Sequence, residues 1–278
     1  MSYKIVVDSC CELPEKYKND ERFQIVPLEL EVGDYRILDD ENFDQKDFIR
    51  RIAESPKCPK TACPSPQKYM DAYESDANHV YVVTLSGKLS GSHNSAVVGK
   101  DMYEEEHGRK PIYVCDSESA SIGETQLALL AMTLEEKGLT FAQVVTKLEE
   151  FRDRMHTYFV LDNLETLRKN GRLTGVKALV ASTLSIKPIM AGKKGAIVQI
   201  GQAVGIKKAL ARMVDNIIAD IPDPEERTVM ISHVNCFERA QMVKDMLLKK
   251  AKFAAIEIFD TAGVSTVYAN DGGIIVTV

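Results

Sequence analysis

Three short apolar runs, KIVVDS (4–9), HVYVVTL (79–85) and PIYVCDS (111–117), each stop at a polar turn, with helical segments between them. This alternation constrains the fold more than any other feature of the chain. Runs of this length, rich in Val and Ile, suit strands buried on both faces. Strands separated by helices imply a parallel sheet covered on both sides. The intervening segments agree: a helix carries Ala96, Val97 and Met102, and TQLALLAMTLEEKG ends at Gly138, where a left-handed C-terminal residue is wanted. FAQVVTKLEEFRDRM adds a helix with apolar spacing of three and four. Ligands of such sheets bind beyond the carboxyl ends of the strands, here at Asp8-Ser9, Ser86-Gly87 and Asp116-Ser117.

Between the first two runs the reading is less regular. FQIVPLELEV (23–32) is expected to be one strand, placed at a sheet edge by Pro27. Phe48, Ile49 and Ile52 suggest a short helix, and Pro56, Pro59, Pro64 and Pro66 make 55–66 an extended loop. The pattern changes near His156. TYFVLD (157–162) reads as a strand and LETLRKNG as a short helix ended by Gly171. LSIKPIM (184–190) and AIVQIGQAVGI (196–206) read as strands joined by the turn GKKG. The helix KKALARMVDNIIADI, the strand TVMISHV, the helix FERAQMVKDMLLKK and the strands AAIEIFD and GGIIVTV complete the chain. Hairpins mixed with helices indicate an α+β unit. With 278 residues to place, two domains are expected, an α/β domain over 1–156 and an α+β domain over 157–278.

Composition removes several function classes. The 35 basic and 41 acidic side chains leave a net charge of -6, without the basic face that nucleic acid requires. No segment approaches the roughly 20 consecutive apolar residues of a membrane span. The N-terminus turns polar by Asp8, unlike a signal peptide. Cys10, Cys11, Cys58, Cys63, Cys115 and Cys236 are spaced for neither a disulfide framework nor a zinc site, so free thiols in a reducing cytoplasm are expected.

Two hydroxyl-rich loops stand out. KTACPSPQ (60–67) offers Thr61, Cys63 and Ser65 on a chain stiffened by Pro64 and Pro66. LSGKLSGSHNSA (85–96) offers Ser86, Ser90, Ser92, His93, Asn94 and Ser95, with Gly87 and Gly91 allowing close backbone approach. Hydroxyls and free amides at a helix N-terminus suit a carboxylate or phosphate. The alternative is that Ser90 caps the helix and the others decorate a turn. A nucleophilic serine would need a base and an orienting acid, and no GxSxG elbow is present. His79, His93, His107, His156 and His233 show no metal-ligand spacing. Asp8 and Asp116 could hold a metal or bond turn amides. Neither GxxxxGK[ST] nor GxGxxG after a strand occurs. Arg168, Lys169, Arg172 and Lys177 form either a solvated basic face or a docking surface.

Taken together, VVDSCCELP (6–14), IVPLELEV (25–32), TACPS (61–65), LSGKLSGSHNSA (85–96), VCDSESAS (114–121), LDNLETLRKNGRL (161–173) and LSIKPIM (184–190) resemble, in order, the DegV family of bacterial fatty-acid-binding proteins. The resemblance implies a DegV fold, an N-terminal parallel-sheet α/β domain plus a C-terminal α+β domain, with an acyl chain between them. It implies a non-enzymatic carrier with no cofactor, binding a long-chain fatty acid and presenting it to a partner fatty-acid kinase. In the family the threonine of a TSxPS loop and the hydroxyls of an SGT turn hold the carboxylate. Thr61 matches the first, and Ser90, Gly91 and Ser92 match the second with Ser in place of Thr. Ser65 and Asn94 belong to the same two loops. Ala62 replaces a serine. The family's HTGPG-like segment is replaced by STVYANDGGII (265–275), so Tyr268 or Asn270 would supply the donor. An arginine common after the IKPI strand is absent, since Gln202, Ala203, Val204 and Gly205 stand there. Arg168, Lys169 and Arg172 are then the candidates for docking the kinase. Two other classes stay open: a hydrolase or acyltransferase using Ser90 or Ser92, and a binding module for another amphiphile or acid.

Overall fold

The computed structural model describes residues 2–173 and 185–278. The three apolar runs are parallel strands, Tyr3–Asp8, His79–Thr84 and Ile112–Asp116. With Phe23–Val26 they form a four-stranded sheet in which Phe23–Val26 is an edge, followed by Tyr3–Asp8, His79–Thr84 and Ile112–Asp116. Alternation of side chains across the strands divides the core into two layers. Ile5, Val7, Tyr81 and Val83 pack on one side with Leu127, Ala131, Val144 and Leu148, from helices Ile122–Glu136 and Phe141–Arg154. Val6, Val80 and Val82 pack on the other with Tyr69, Tyr73 and Ala96, from helices Pro66–Tyr73 and Ser92–His107. The uniform burial of His79–Thr84 follows from helices on both faces.

The second sheet has six strands in the order Ala196–Val204, Ile186–Lys193, Thr157–Val160, Ile274–Thr277, Thr228–His233 and Ala255–Asp260. It is mixed: Thr228–His233 and Ala255–Asp260 run parallel, and the other neighbours are antiparallel. Helices Ile206–Asp220 and Phe237–Leu248 cover one face, where Leu210, Met213, Ile217 and Leu247 meet Tyr158, Val160 and Ile231. The opposite face, with Phe159, Leu161, Ile197 and Ile275, belongs to another cluster, turned toward the first half of the chain. The two-sheet α/β architecture is therefore present.

Four local readings need correction. FQIVPLELEV is two strands: Phe23–Val26 joins the parallel sheet, and after Pro27 Glu29–Val32 enters a small antiparallel sheet with Tyr35–Leu38 and Lys60–Ala62. Proline has no N–H to continue a ladder, so the chain changes sheets there. Lys60–Ala62 is thus a short strand inside the expected loop. Tyr35–Leu38 was not anticipated, and neither was the helix Gly263–Ala269. Leu184 and Lys177 lie outside the described residues. Among the described residues no helix is long and apolar enough to cross a membrane.

Candidate functional site

The turns at the carboxyl ends of the parallel strands are fastened by the two aspartates. Asp8 accepts hydrogen bonds from the Cys10 amide at 3.1 Å, the Leu85 amide at 3.0 Å and the Ser92 hydroxyl at 2.6 Å. Asp116 accepts from the amides of Gly87 at 3.2 Å and Glu118 at 3.0 Å. Both therefore serve turn geometry. Among the described residues no group of three or more His, Cys, Asp or Glu side chains is arranged to hold a metal.

With Asp8 engaged, the Ser90–Ser95 turn separates into wall and foundation. Ser90 lines a cavity, and its Oγ accepts the Ser92 amide at 3.2 Å. Gly91 is the N-cap residue of Ser92–His107. Ser92 is fully buried: it donates to Asp8, and its Oγ lies 2.6 Å from the Tyr69 hydroxyl, which therefore donates to it. It stands behind the cavity wall, fixing the turn that presents Ser90. His93 faces the Thr84 hydroxyl at 3.4 Å.

Thr61 reaches the cavity because its strand pairs with Glu29–Val32, with Thr61 opposite Leu30. Its hydroxyl lies 3.0 Å from that of Tyr268, on the helix Gly263–Ala269. Burial raises the Tyr268 phenol above its ordinary pKa, against smaller lowering effects of the Thr61 hydrogen bond and the Arg172 charge. It stays protonated at neutral pH and can donate. The Arg172 guanidinium sits over the Tyr268 ring, 5.3 Å from its centroid. Arg172 also donates from Nε to the Leu89 carbonyl at 3.0 Å and from Nη1 to the Asn170 carbonyl at 2.6 Å. The left-handed Gly171, at φ +74°, turns the chain back after the helix Glu165–Lys169 and directs Arg172 inward.

These four side chains, Thr61, Ser90, Arg172 and Tyr268, line one cavity. The remaining wall is largely apolar, with Leu28, Leu85 and Leu89 from the first half of the chain and Phe159, Leu161 and Ile197 from the second. Its empty space, counted to include the open mouth, is about 840 Å³. A largely apolar cavity with hydroxyls and a guanidinium on its wall can hold an amphiphile bearing an anionic head.

Other sequence candidates lie off the wall. Ser65 is the exposed N-cap residue of Pro66–Tyr73, and Asn94 is exposed on the first turn of its helix. Asn270 ends the helix Gly263–Ala269 at φ +57° and uses its amide on the Thr166 hydroxyl and the Tyr268 carbonyl. The grouping of Arg168, Lys169 and Arg172 on one face is corrected. Arg168 and Lys169 are exposed and paired with Glu165, whereas Arg172 is part of the cavity wall. Sequence reasoning thus does not place this guanidinium on the cavity wall; the local signal is the Asn170-Gly171 reversal before it. Cys10 and Ser265 also line the cavity and were not singled out as its residues.

Residues 2–277 match the model of the DegV family, described as uncharacterised proteins. The chain belongs to the DegV family. A DegV domain-containing protein from Streptococcus gordonii is 34% identical over 280 residues, covering 99% of this chain and 98% of the relative. Among solved structures, a DegV family protein from Ruminococcus gnavus with vaccenic acid superimposes with TM-score 0.97 at 50% identity, covering 100% of both chains. The fatty acid kinase B3 protein of Streptococcus pneumoniae, loaded with linoleic acid, gives TM-score 0.88 at 29% identity over 100% of this chain and 99% of that one. The DegV fold that the resemblance implies is thereby established for this chain.

Proposed function

We propose that this protein binds a long-chain fatty acid, with its tail in the cavity and its carboxylate on Thr61, Ser90, Tyr268 and Arg172. The carrying observation is the convergence of those four side chains on one apolar cavity. Solved relatives with vaccenic acid and loaded with linoleic acid support the ligand class. Each buried methylene contributes about 0.8 kcal/mol, so a tail of roughly 16 carbons supplies most of the affinity. Hydroxyls and a guanidinium answer the cost of burying the head. Ser92 and Gly91 act behind this shell by setting the turn.

The protein works as a cytoplasmic carrier and leaves catalysis to a partner fatty-acid kinase. The kinase reading leans on the fatty acid kinase B3 relative. Exposed Arg168 and Lys169 supply the docking charge. Ser90 binds and does not attack: its Oγ accepts an amide, and His93 faces Thr84 instead. The reading is tested by titrating delipidated protein with a long-chain fatty acid and the matching fatty alcohol. Saturable binding with the acid tighter is expected. Equal affinities would remove the carboxylate contacts from the account.

A further inference from the structure

Behind the cavity wall lie four buried carboxyls, Asp8, Glu12, Asp39 and Glu124, none of them in an ion pair among the described residues. Two are well served by donors. Asp8 has the three bonds given above, and Asp39 accepts from the amides of Gly263 at 2.8 Å and Val264 at 2.9 Å. The other two are served less well. Glu12 receives the Ala262 amide at 3.4 Å on one oxygen, with the Ser121 and Ser265 hydroxyls beside its carboxyl. Glu124 is wholly buried, no N–H donates to either of its oxygens, and its polar neighbours are Asp8 and the Cys10 thiol. A buried carboxylate left unpaired is far costlier than a protonated carboxyl, which can donate to a neighbour. Asp8, beside Glu124, is such an acceptor.

Among the described residues, the elements packed on this cluster add acids or neutral groups. The turn after the first strand contributes Cys10 and Cys11, both held protonated by burial. The helix Pro66–Tyr73 contributes the buried phenol of Tyr69. Ser121 and Thr125 come with the helix bearing Glu124, and Ser265 with the helix Gly263–Ala269. Burial pushes Glu12 up to about 8 and Asp39 up to about 6, and raises Glu124.

The cluster also holds a cavity wall in place. Asp39 and Glu12 bond the first amides of the Gly263–Ala269 segment, and that helix supplies Val264, Ser265 and Tyr268 to the cavity. Its fit is close: a Cβ on Gly263 would lie 2.3 Å from Leu30 Cδ1 and 2.6 Å from Asp39 Oδ1. We propose that Glu12 and Glu124 keep this helix seated only while they carry protons, so that lipid binding is linked to proton binding and is released as pH rises. Ionising both places like charges against Asp8 and Asp39, with no cation paired to any of the four among the described residues. Hydration then comes by lifting the helix, and with it Tyr268. The link to lipid rests on the fatty-acid reading above; the proton-dependent seating of the helix does not.

Purified wild type, Glu12→Gln, Glu124→Gln and the surface control Glu54→Gln are titrated with a fluorescent fatty acid from about pH 6 to pH 9. Their thermal unfolding midpoints are followed from about pH 5 to pH 8. The ligand's own carboxyl contributes alike in all four. Wild type and Glu54→Gln are expected to lose about tenfold in affinity across the range, and either buried substitution to flatten that dependence. Wild-type affinity that does not change with pH, or variants that keep the full dependence, overturns the lipid link. If no lipid binds at any pH, the fatty-acid reading has failed and the unfolding midpoints decide. Wild type must still lose stability as pH rises, and the Gln variants must lose less; a flat wild-type curve overturns the proposal. Should one Gln variant fail to fold, the other and the wild-type curve carry the same decision.

Discussion

Thr61 and Tyr268 share one hydrogen bond although 207 positions separate them, and each borders the cavity. Either hydroxyl can turn to a carboxylate while the other supports it. Thr61→Val keeps the shape and removes a donor, so it should weaken a fatty acid by about 1 to 3 kcal/mol in a binding titration. An unchanged affinity would take Thr61 out of the head-group site. In the proposed contact Arg172 provides the charge-assisted part. Arg172→Gln should weaken the acid by roughly 1.5 to 3 kcal/mol and leave the matching alcohol nearly unaffected. Equal loss for both ligands would mean that Arg172 acts by shaping the wall through Leu89. At this scale the sequence was partly legible. Thr61 and Ser90 stand out as hydroxyls in Pro- and Gly-rich loops, but the same composition surrounds Ser92, whose hydroxyl is spent on Asp8. Arg172 does not stand out in the sequence because three basic residues close together look like a surface. Only the turn at Gly171 separates it from Arg168 and Lys169.

The helix Gly263–Ala269 is the element on which the site depends most. Its sequence, GVSTVYA, holds a glycine and several β-branched residues, poor credentials for an isolated helix. It forms because Asp39 takes its first amides and because Val264 and Val267 are buried against Leu28, Leu30 and Phe48. That is tertiary selection, and no local pattern announces it. Tyr35–Leu38 escaped notice for a related reason, since its residues are only half-buried or exposed. The strands of the parallel sheet were legible because burial on both faces demands an apolar run. Gly263→Val should cost about 1 to 3 kcal/mol of stability in urea denaturation, by forcing Leu30 and Asp39 apart from the helix. It should also speed release of bound lipid. Unaltered stability would show that the helix is less tightly seated than its contacts imply.

Both halves of the chain build the cavity, and hydrogen bonds cross between them at several points. Gln126 donates to the Thr228 carbonyl at 3.0 Å, Ser121 and Ser232 are 2.8 Å apart, and Ser86 donates to the Gly195 carbonyl at 2.8 Å. A ligand bridging the halves stabilises the folded chain by mass action, about 2.7 kcal/mol at a hundred times Kd. For a chain of this size that raises Tm by roughly 5 to 10 °C, measurable by calorimetry. The buried carboxyls impose an opposite dependence on pH. Glu12 binds its proton more tightly folded, at about 8, than unfolded, at 4.5. Its contribution is complete below the unfolded value and is lost as pH rises toward about 8. Asp39, at about 6, acts in the same direction over a lower range. The central claim, that the cavity belongs to a fatty acid, is met most directly by mass spectrometry of lipid extracted from natively purified protein, with reloading of the stripped chain. The account predicts one long-chain fatty acid per chain, reduced in amount by Arg172→Gln and Thr61→Val. A chain that carries no lipid and takes up none when offered would contradict it.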